Sequence, residues 1–371
     1  MADLSIEVDG LSFPNPFLLA SGPPGTNAKV IQRSFALGWG GIVSKTISLD
    51  NSKVVNTAPR YAKLFARNHP DEVVGFQNIE LISDRPFEVW LDELAECKRA
   101  YPRRVLIASI MEEYRREAWH EIVERVQKTG VDALELNLSC PHGLPERRMG
   151  AAMGQDPAIV EEVTRWVKEV ARVPVWAKMT PNVTDPTLAA QAAVRGGANG
   201  LAAINTVLCV LGVNLDTLRP IPTVEGYSEP GGYSGPAVRP IALRHVMQIA
   251  RACPTASVSG IGGIECARDA AQFFALGAHT VQLCTAAMLQ GYEMIEGLCA
   301  DLSKFLDEKG MGSVRELVGA SLPYFDTHAG LVERQAAARR AHGRGKERAP
   351  QRDDQHWKGD ITRETRDLID G

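Results

Sequence analysis

The chain has 371 residues, of which 44% are hydrophobic and 23% are charged, and its formal net charge at pH 7 is −4. This composition is ordinary for a globular protein of one large or two medium domains, and the charge favours neither nucleic acid nor an anionic membrane as a partner. Because no apolar run reaches the length of a membrane span and residues 1–5 lack a signal-peptide pattern, we expect a cytoplasmic protein without membrane contact.

In chain order, short apolar runs alternate with longer amphipathic segments. The short runs predict eight strands, at residues 17–20, 41–45, 105–109, 134–137, 175–179, 201–205, 256–259 and 280–283. Longer segments between most of them predict helices, for example at residues 157–170, 186–195, 240–251 and 266–274. Eight strands with intervening helices predict an α/β fold, a closed parallel (β/α)8 TIM barrel. A doubly wound sheet is the alternative, which the lack of a G-x-G-x-x-G run after the first strand disfavours.

Two intervals between predicted strands are longer than a simple crossover. Residues 47–101 must hold a loop and at least one helix, and residues 207–239 are rich in glycine and proline. Long loops at the carboxyl ends of barrel strands commonly shape an active site. Beyond residue 330 an Ala- and Arg-rich run is followed by a polar segment. We therefore predict a barrel over residues 1–330 and a C-terminal helix with a polar tail over residues 331–371.

The most informative run is Asn137-Leu138-Ser139-Cys140-Pro141-His142, which follows a buried-strand pattern. It carries an amide, a hydroxyl, a thiol and an imidazole from a strand end into a loop, where α/β proteins place catalytic groups. A free thiol has a pKa of about 8.5, so it is mostly protonated at neutral pH and can donate a proton. Cys140 is therefore a candidate general acid. The alternative is a buried structural cysteine beside a turn.

Other polar side chains also follow predicted strands. They are Lys45 with Thr46, Asn137, Lys178, and Asn205 with Thr206. Each alone could be an exposed strand-end residue, but together they resemble the lining of one pocket, because burying such groups without partners is unfavourable. Lysines and amides are the groups that hydrogen-bond the carbonyls and ring nitrogens of a flavin. A positive charge near the ring also stabilises its reduced, anionic form.

Glycine-rich runs predict a phosphate site on the other side of the pocket. One spans residues 231–235 ahead of a helix that starts near Arg239, and another spans residues 259–263 after the seventh strand. Cys284 and Thr285 follow the eighth strand. Barrels commonly bind phosphate with the loops after strands seven and eight, through backbone N–H groups that glycine leaves accessible. A turn without a ligand is the alternative.

The cysteines predict neither a disulfide framework nor a metal site. There are seven, widely scattered, with no C-x-x-C pair, which argues against a zinc site and an iron–sulfur cluster. The eight histidines lack metal-ligand spacing as well.

Several of these segments resemble the FMN-binding barrel that dihydroorotate dehydrogenases and dihydropyrimidine dehydrogenases share, in particular the pyrimidine-reducing domain or subunit of the latter. The resemblance covers residues 4–306. It rests on residues 44–46, 76–83, 137–143 with 154–157, 177–178 with 180–185, and 205–207.

The resemblance implies an FMN-dependent oxidoreductase that reduces or oxidises the 5,6-bond of uracil or thymine, with a hydride from the flavin and a proton from Cys140. Ser139 and His142 would flank this acid. The implied pyrimidine ligands are Asn78, Glu80, Asn137, Asn205 and Thr206. The implied FMN ligands are Ala20, Ser21, Lys45, Thr46, Asn137, Lys178, Asn205, Ser234, Gly235, Gly262, Gly263, Cys284 and Thr285.

His142 and the Asn78-Ile79-Glu80 segment favour the dihydropyrimidine enzymes over the dihydroorotate enzymes, which usually carry Asn at the position of His142. The dihydropyrimidine enzymes carry iron–sulfur clusters after the barrel, whereas this chain has no cysteine beyond Cys299 and no dinucleotide fingerprint. We therefore expect a separate electron-transfer subunit, and we also expect the chain to form a homo-oligomer, such as a dimer. The alternatives are a dihydroorotate dehydrogenase and a non-catalytic flavin-binding subunit of a larger complex.

Overall fold

The computed structural model describes residues 2–50, 54–139 and 150–341. Its strands are β1 (Ile6–Val8), β2 (Leu11–Phe13), β3 (Phe17–Leu19), β4 (Gly41–Val43), β5 (Tyr61–Ala66), β6 (His69–Asn78), β7 (Val105–Ile110), β8 (Ala133–Asn137), β9 (Val175–Lys178), β10 (Gly200–Ala203), β11 (Val207–Cys209), β12 (Gly212–Asn214), β13 (Arg219–Ile221), β14 (Gly231–Ser234), β15 (Ser257–Ile261) and β16 (Thr280–Leu283). Its helices are α1 (Ala28–Leu37), α2 (Phe87–Ala100), α3 (Arg116–Gln127), α4 (Ala151–Gly154), α5 (Pro157–Val170), α6 (Pro186–Arg195), α7 (Arg239–Ala252), α8 (Ala267–Ala275), α9 (Thr285–Gln290), α10 (Met294–Glu308) and α11 (His328–Ala341).

Eight parallel strands close into a barrel in the order β3-β4-β7-β8-β9-β10-β15-β16. The predicted (β/α)8 barrel is confirmed, and each predicted strand overlaps one barrel strand. Helices surround the strands, so β7, β8, β9 and β10 are buried along their whole length. Strands covered on both faces read as continuous apolar runs, which is why the sequence located them well.

Local sequence signals begin the helices. Asp156 caps α5 by accepting hydrogen bonds from the backbone N–H groups of Ala158 and Ile159, and Asp185 caps α6 in the same way through Thr187. A proline occupies the first position of each helix, where no N–H donor is needed. The predicted bounds of both helices are confirmed.

The β1–β2 hairpin covers the amino-terminal end of the barrel. Asp9 lies in its turn, and its Oδ2 accepts hydrogen bonds from Trp176 Nε1 and Ser257 Oγ, each at 2.6 Å. Trp176 and Ser257 stand near the starts of β9 and β15. The hairpin is therefore fixed to the end opposite the strand ends that the sequence marked as functional.

The two long intervals form an antiparallel sheet that the sequence did not predict. Its strand order is β11-β14-β6-β5, and we call it the accessory sheet. Strands β5 and β6 and the predicted helix α2 lie within residues 47–101, whereas β11–β14 lie within residues 207–239. The pairing of Tyr233 with Gln77 joins strands from both intervals.

The described part of the chain divides into two compact units, of which one ends at residue 323 and the other begins at residue 324. In the described part of the second unit, α11 is preceded by Asp326, which accepts a hydrogen bond from Arg334 Nε at 2.6 Å. The boundary that the sequence places after residue 330 falls within this helix. No helix among the described residues is both long and apolar enough to span a membrane.

Candidate active site

A cleft at the carboxyl ends of the barrel strands has an empty volume of about 1190 Å³, its open mouth included. Sequence-predicted site residues that line it are Ala20, Ser21, Lys45, Thr46, Asn78, Glu80, Asn137, Lys178, Asn205, Thr206, Ser234, Gly235, Gly262, Gly263, Cys284 and Thr285. Those that follow barrel strands converge because parallel barrel strands all end on the same side. Ser139 is completely buried beside the cleft, whereas Cys140 and His142 lie outside the described residues.

A hydrogen-bonded group of side chains fixes Asn137 at the end of β8. Asn137 Nδ2 donates to Thr46 Oγ1 at 2.9 Å, and Thr46 Oγ1 lies 2.8 Å from Ser109 Oγ and 3.2 Å from Ser21 Oγ. Asn137 Oδ1 accepts from the backbone N–H of Ser139 at 3.2 Å. Both ends of the amide are thereby engaged, which sets its orientation.

Ser139 connects the strand ends of β8 and β10. Its Oγ accepts a hydrogen bond from Asn205 Nδ2 at 2.7 Å and lies 3.5 Å from Asn137 Oδ1. Asn205 Oδ1 in turn accepts from the backbone N–H of Thr206 at 2.8 Å. The two asparagines therefore hold the residue that immediately precedes Cys140.

Lys45 forms a buried ion pair with Glu80. Lys45 Nζ lies 3.0 Å from Glu80 Oε1, and the two side chains are 8% and 9% exposed. Arg60 Nε approaches the same oxygen at 3.5 Å from the more exposed side. Burial, followed by the negative charge of Glu80, raises the pKa of Tyr61, whose ring also lines the cleft.

A second buried ion pair lies in the floor of the cleft, where Lys178 Nζ is 3.4 Å from Glu135 Oε1. Glu135 is completely buried, and its Oε2 accepts a hydrogen bond from Gln282 Nε2 at 2.9 Å. Breaking such a pair by removing one partner is typically costly, since it leaves an uncompensated buried charge. The two glutamates therefore hold two lysine ammonium groups in the cleft and neutralise their positive charge.

The accessory sheet supplies the other wall of the cleft. Asn78, the last residue of β6, donates from Nδ2 to the backbone oxygen of Gly232 at 3.1 Å. Its Oδ1 lies 3.4 Å from the backbone N of Glu80. Asn78 thus joins β6 to β14 and orients the segment that carries Glu80.

The glycine-rich loops come together at the far side of the cleft. Gly262 and Gly263 have φ values of +132° and +70°, a backbone conformation that glycine adopts much more readily than other residues. A Cβ at Gly263 would lie 2.8 Å from the Cβ of Arg239 and 2.9 Å from the oxygen of Gly235. Ser234 Oγ lies 2.8 Å from Thr285 Oγ1 at the start of α9. The predicted phosphate residues therefore form a single backbone-lined corner.

Cys284 lines the cleft and directly precedes α9. Burial raises the pKa of its thiol to about 11, although the charges of Lys178 and Lys45 oppose this shift. The thiol is therefore protonated at neutral pH. A Cβ at Gly22 would come within 2.7 Å of its sulfur, so the thiol packs directly on the backbone there.

The sequence analysis missed four polar residues of this region: Arg60, Tyr61, Glu135 and Gln282. Tyr61 is the first residue of β5 in the accessory sheet, whose strands were not predicted, and Arg60 directly precedes it. Glu135 stands between two leucines, and Gln282 stands between a valine and a leucine, each within an apolar run. A lone ionisable or amide residue inside a buried strand was the signal that could have identified them.

No cluster of three or more potential metal ligands occurs in the described parts of the chain.

Comparisons with known proteins show which proteins this chain is similar to. The family model described as "Dihydroorotate dehydrogenase" matches residues 3–306. The chain is 52% identical over 379 aligned residues to "Dihydropyrimidine dehydrogenase (NADP(+)), chloroplastic" of Arabidopsis thaliana, which covers 99% of this chain and 88% of that protein. It is 43% identical over 320 residues to "NAD-dependent dihydropyrimidine dehydrogenase subunit PreA" of Escherichia coli K12, covering 85% and 76%.

More distant relatives include the catalytic subunit of "Dihydroorotate dehydrogenase B (NAD(+))" of Pyrococcus horikoshii, at 35% identity over 319 residues, with 86% of this chain and 98% of that protein covered. Among solved structures, ligand-free DHODH of Eimeria tenella superposes with a TM-score of 0.72 at 21% identity, covering 86% of this chain and 92% of the other. At that identity the superposition supports the fold alone.

Proposed function

The chain belongs to the dihydroorotate dehydrogenase family, and from this premise we propose that it is an FMN-dependent oxidoreductase acting on the 5,6-bond of uracil or thymine. The observation that carries the proposal is the convergence of two buried lysine–glutamate pairs and two asparagines on one cleft at the carboxyl end of a barrel. The names of the first two relatives, both dihydropyrimidine dehydrogenases, support the same reaction.

The residues of the cleft fit FMN. Lys45 and Lys178 present buried ammonium groups, and Gln282 presents a buried amide oxygen without a hydrogen-bond partner among the described residues. Gly262 and Gly263 leave a corner that a Cβ would fill. When bound, FMN would supply the hydride chemistry. Lys45 and Lys178 would hold the ring, and the glycine loops with Ser234 and Thr285 would hold the phosphate.

The amides of the cleft suit the alternating N–H and C=O groups of a pyrimidine ring. Asn137 and Asn205 are held in fixed orientations by Thr46 and Ser139, so their polar atoms need no reordering when the ring enters. Asn78, Glu80 and Thr206 line the same cleft and would complete the ring contacts. Preorganised groups of this kind favour the bound orientation in which reaction occurs.

A proton must reach the ring carbon that does not receive the hydride. We assign this step to Cys140, which follows directly on the buried, doubly contacted Ser139. His142 would stand two residues further on. The anchored Ser139 would hold the start of this loop while the thiol releases its proton to carbon-5 of the ring.

Dihydroorotate oxidation remains the alternative, because the family model and the Pyrococcus relative carry that name. Its substrate bears a carboxylate, which calls for a free cation. Among the described residues that line the cleft, the cationic side chains are Lys45 and Lys178, and each is already paired with a buried glutamate. This arrangement favours an uncharged ring.

We also propose that a separate subunit carries electrons to or from the flavin, since the Escherichia coli relative is named as a subunit of an NAD-dependent enzyme. Homo-oligomerisation and a cytoplasmic location stay predictions. The plant relative is named as chloroplastic. Light scattering on the purified protein would measure the oligomeric state.

An anaerobic half-reaction tests the proposed function. The protein is loaded with FMN and mixed separately with dihydrouracil, dihydrothymine and dihydroorotate, and the loss of visible flavin absorbance is followed. We expect bleaching by the first two and little by the third. Bleaching by dihydroorotate alone would establish the alternative reaction. A protein that binds FMN but is bleached by none of them would be a non-catalytic subunit.

A further inference from the structure

Gln282 offers a hydrogen-bond acceptor to the cleft that no described group of the chain uses. The residue is 1% exposed and lines the cleft floor. Its Nε2 donates to Glu135 at 2.9 Å, whereas its Oε1 is buried and has no hydrogen-bond partner among the described residues. Native proteins leave few buried polar atoms unsatisfied, and a ligand is one way to complete them.

Glu135 fixes which end of the Gln282 amide faces the cleft. An ionised carboxylate accepts hydrogen bonds and cannot donate them, and Glu135 forms an ion pair with the Lys178 ammonium at 3.4 Å. The NH₂ group of Gln282 must therefore point to Glu135. The amide oxygen is then the end of the side chain that has no partner among the described residues.

The three residues form a link across the barrel interior. Glu135 and Lys178 are on the neighbouring strands β8 and β9, whereas Gln282 is on β16, four strands away from β8 around the eight-stranded barrel. The hydrogen bond from Gln282 Nε2 to Glu135 restricts the rotation of the Gln282 amide. Its oxygen therefore has little freedom to find another partner. Other buried unpartnered atoms, such as Gln248 Oε1, belong to residues outside the cleft lining.

We infer that Gln282, oriented by Glu135, accepts a hydrogen bond from an N–H group of the bound flavin ring. The inference rests on the proposed function, in which FMN fills this cleft. It adds to the sequence-predicted ligands a residue that recognises a ring donor, whereas the lysines recognise ring acceptors. Glu135 acts through Gln282 and Lys178 and is a positioning residue.

The test measures the dissociation constant of FMN for the apoprotein by quenching of flavin fluorescence. Gln282→Met keeps the length of the side chain and removes the acceptor oxygen, so a ring N–H would be buried without a partner. We expect FMN to bind about 10- to 100-fold more weakly. Gln248→Met is the matched control, because it removes a buried unpartnered oxygen that does not line the cleft, and it should leave the constant unchanged.

Two further variants guard against misfolding and test the orientation. Gln282→Asn keeps an amide but withdraws it by one methylene, and should also weaken FMN binding. In Glu135→Gln the new amide can both donate and accept hydrogen bonds, so it no longer fixes the orientation of the Gln282 amide. We expect this variant to bind FMN more weakly although Gln282 is intact. Thermal unfolding of each apoprotein shows that the barrel is folded.

The outcomes separate this inference from the proposed function. If wild-type protein binds FMN and folded Gln282→Met or Gln282→Asn binds it equally well, Gln282 is not a flavin ligand and the proposed function stands. If wild-type apoprotein takes up no FMN, both are overturned. Weakening by the Gln282 variants, with Gln248→Met unchanged, supports the inference.

Discussion

Ser139 shows how a single hydroxyl can join the ends of two barrel strands. It is completely buried, accepts from Asn205 and lies next to Asn137 at the ends of two different barrel strands. Both asparagines line the cleft. In the proposed function they contact the pyrimidine ring, and they also contact Ser139, the residue before Cys140.

Cys140→Ser should slow turnover and leave FMN and pyrimidine binding intact. A hydroxyl is much less acidic than a thiol, and general acid catalysis contributes about 10²- to 10⁴-fold to a rate. Single-turnover rates of flavin oxidation or reduction, normalised to bound FMN, would measure this loss. Asn205→Ala should instead weaken pyrimidine binding as well as the rate, since it removes a ring ligand and frees Ser139.

The exposed Cys266 provides a control for the loss of a thiol, so Cys266→Ser should react at the wild-type rate. If Cys140→Ser were equally active per bound FMN, Cys140 would be a structural cysteine. The barrel would then lack its assigned acid.

At the scale of elements, the β1–β2 hairpin illustrates a contact that serves stability rather than chemistry. Asp9 lies at the end of the barrel opposite the cleft and accepts hydrogen bonds from Trp176 and Ser257. Asp9→Ala leaves both donors without this partner, and each such loss costs about 1–3 kcal/mol. We expect the free energy of unfolding in urea to fall by about 2–6 kcal/mol, with the FMN dissociation constant unchanged.

Glu7→Ala, in the same hairpin, is the control for this experiment, because Glu7 is exposed. It should change stability by less than about 0.5 kcal/mol. Equal stability of the Asp9 and Glu7 variants would show that the hairpin does not depend on the Asp9 contacts. A large loss of FMN affinity in Asp9→Ala would contradict the separation of the two barrel ends.

The barrel could be predicted from the sequence, whereas the accessory sheet could not. Barrel strands such as β7 are buried on both faces and read as unbroken apolar runs. Strand β14 is Gly231-Gly232-Tyr233-Ser234, which has no such pattern, and its partner β6 is more than 150 residues away. Pairing at that distance depends on how the barrel places both segments.

The strand-end residues were predictable because a polar residue after a buried run is visible in the local sequence. Gln282 could be interpreted only once the structure showed Glu135 beside it.

At the scale of the whole molecule, His245 should make the protein sensitive to acid. It is 1% exposed on α7, and burial, with a smaller contribution from Arg244, lowers its pKa from 6.5 to about 4. Between pH 6.5 and 4 the unfolded chain binds a proton that the native chain does not, so the native state loses stability as the pH falls. This loss is about 1.4 kcal/mol per pH unit within that window.

Urea unfolding at pH 7 and pH 5 would measure this effect. His245→Leu should lose less stability between the two pH values than the wild type does, whatever its stability at pH 7. His69→Leu is the control, because His69 is exposed in β6, and its pH dependence should match the wild type. An unchanged pH dependence in His245→Leu would show that other groups cause the acid sensitivity.

The source of electrons also concerns the whole molecule. The sequence has neither a dinucleotide fingerprint nor closely spaced cluster cysteines, and no cluster of three or more His, Cys, Asp or Glu residues that could hold a metal occurs in the described ranges. In the proposed function, the cleft holds one flavin and one pyrimidine ring. We therefore expect that NADH and NADPH will not reduce FMN bound to this chain alone at a useful rate, although dihydrouracil will. Stopped-flow absorbance under anaerobic conditions measures both rates on the same preparation, so that the dihydrouracil reaction serves as the control for an intact site. Rapid bleaching by either nucleotide would show that this chain binds it directly, and the proposed electron-transfer subunit would then be unnecessary.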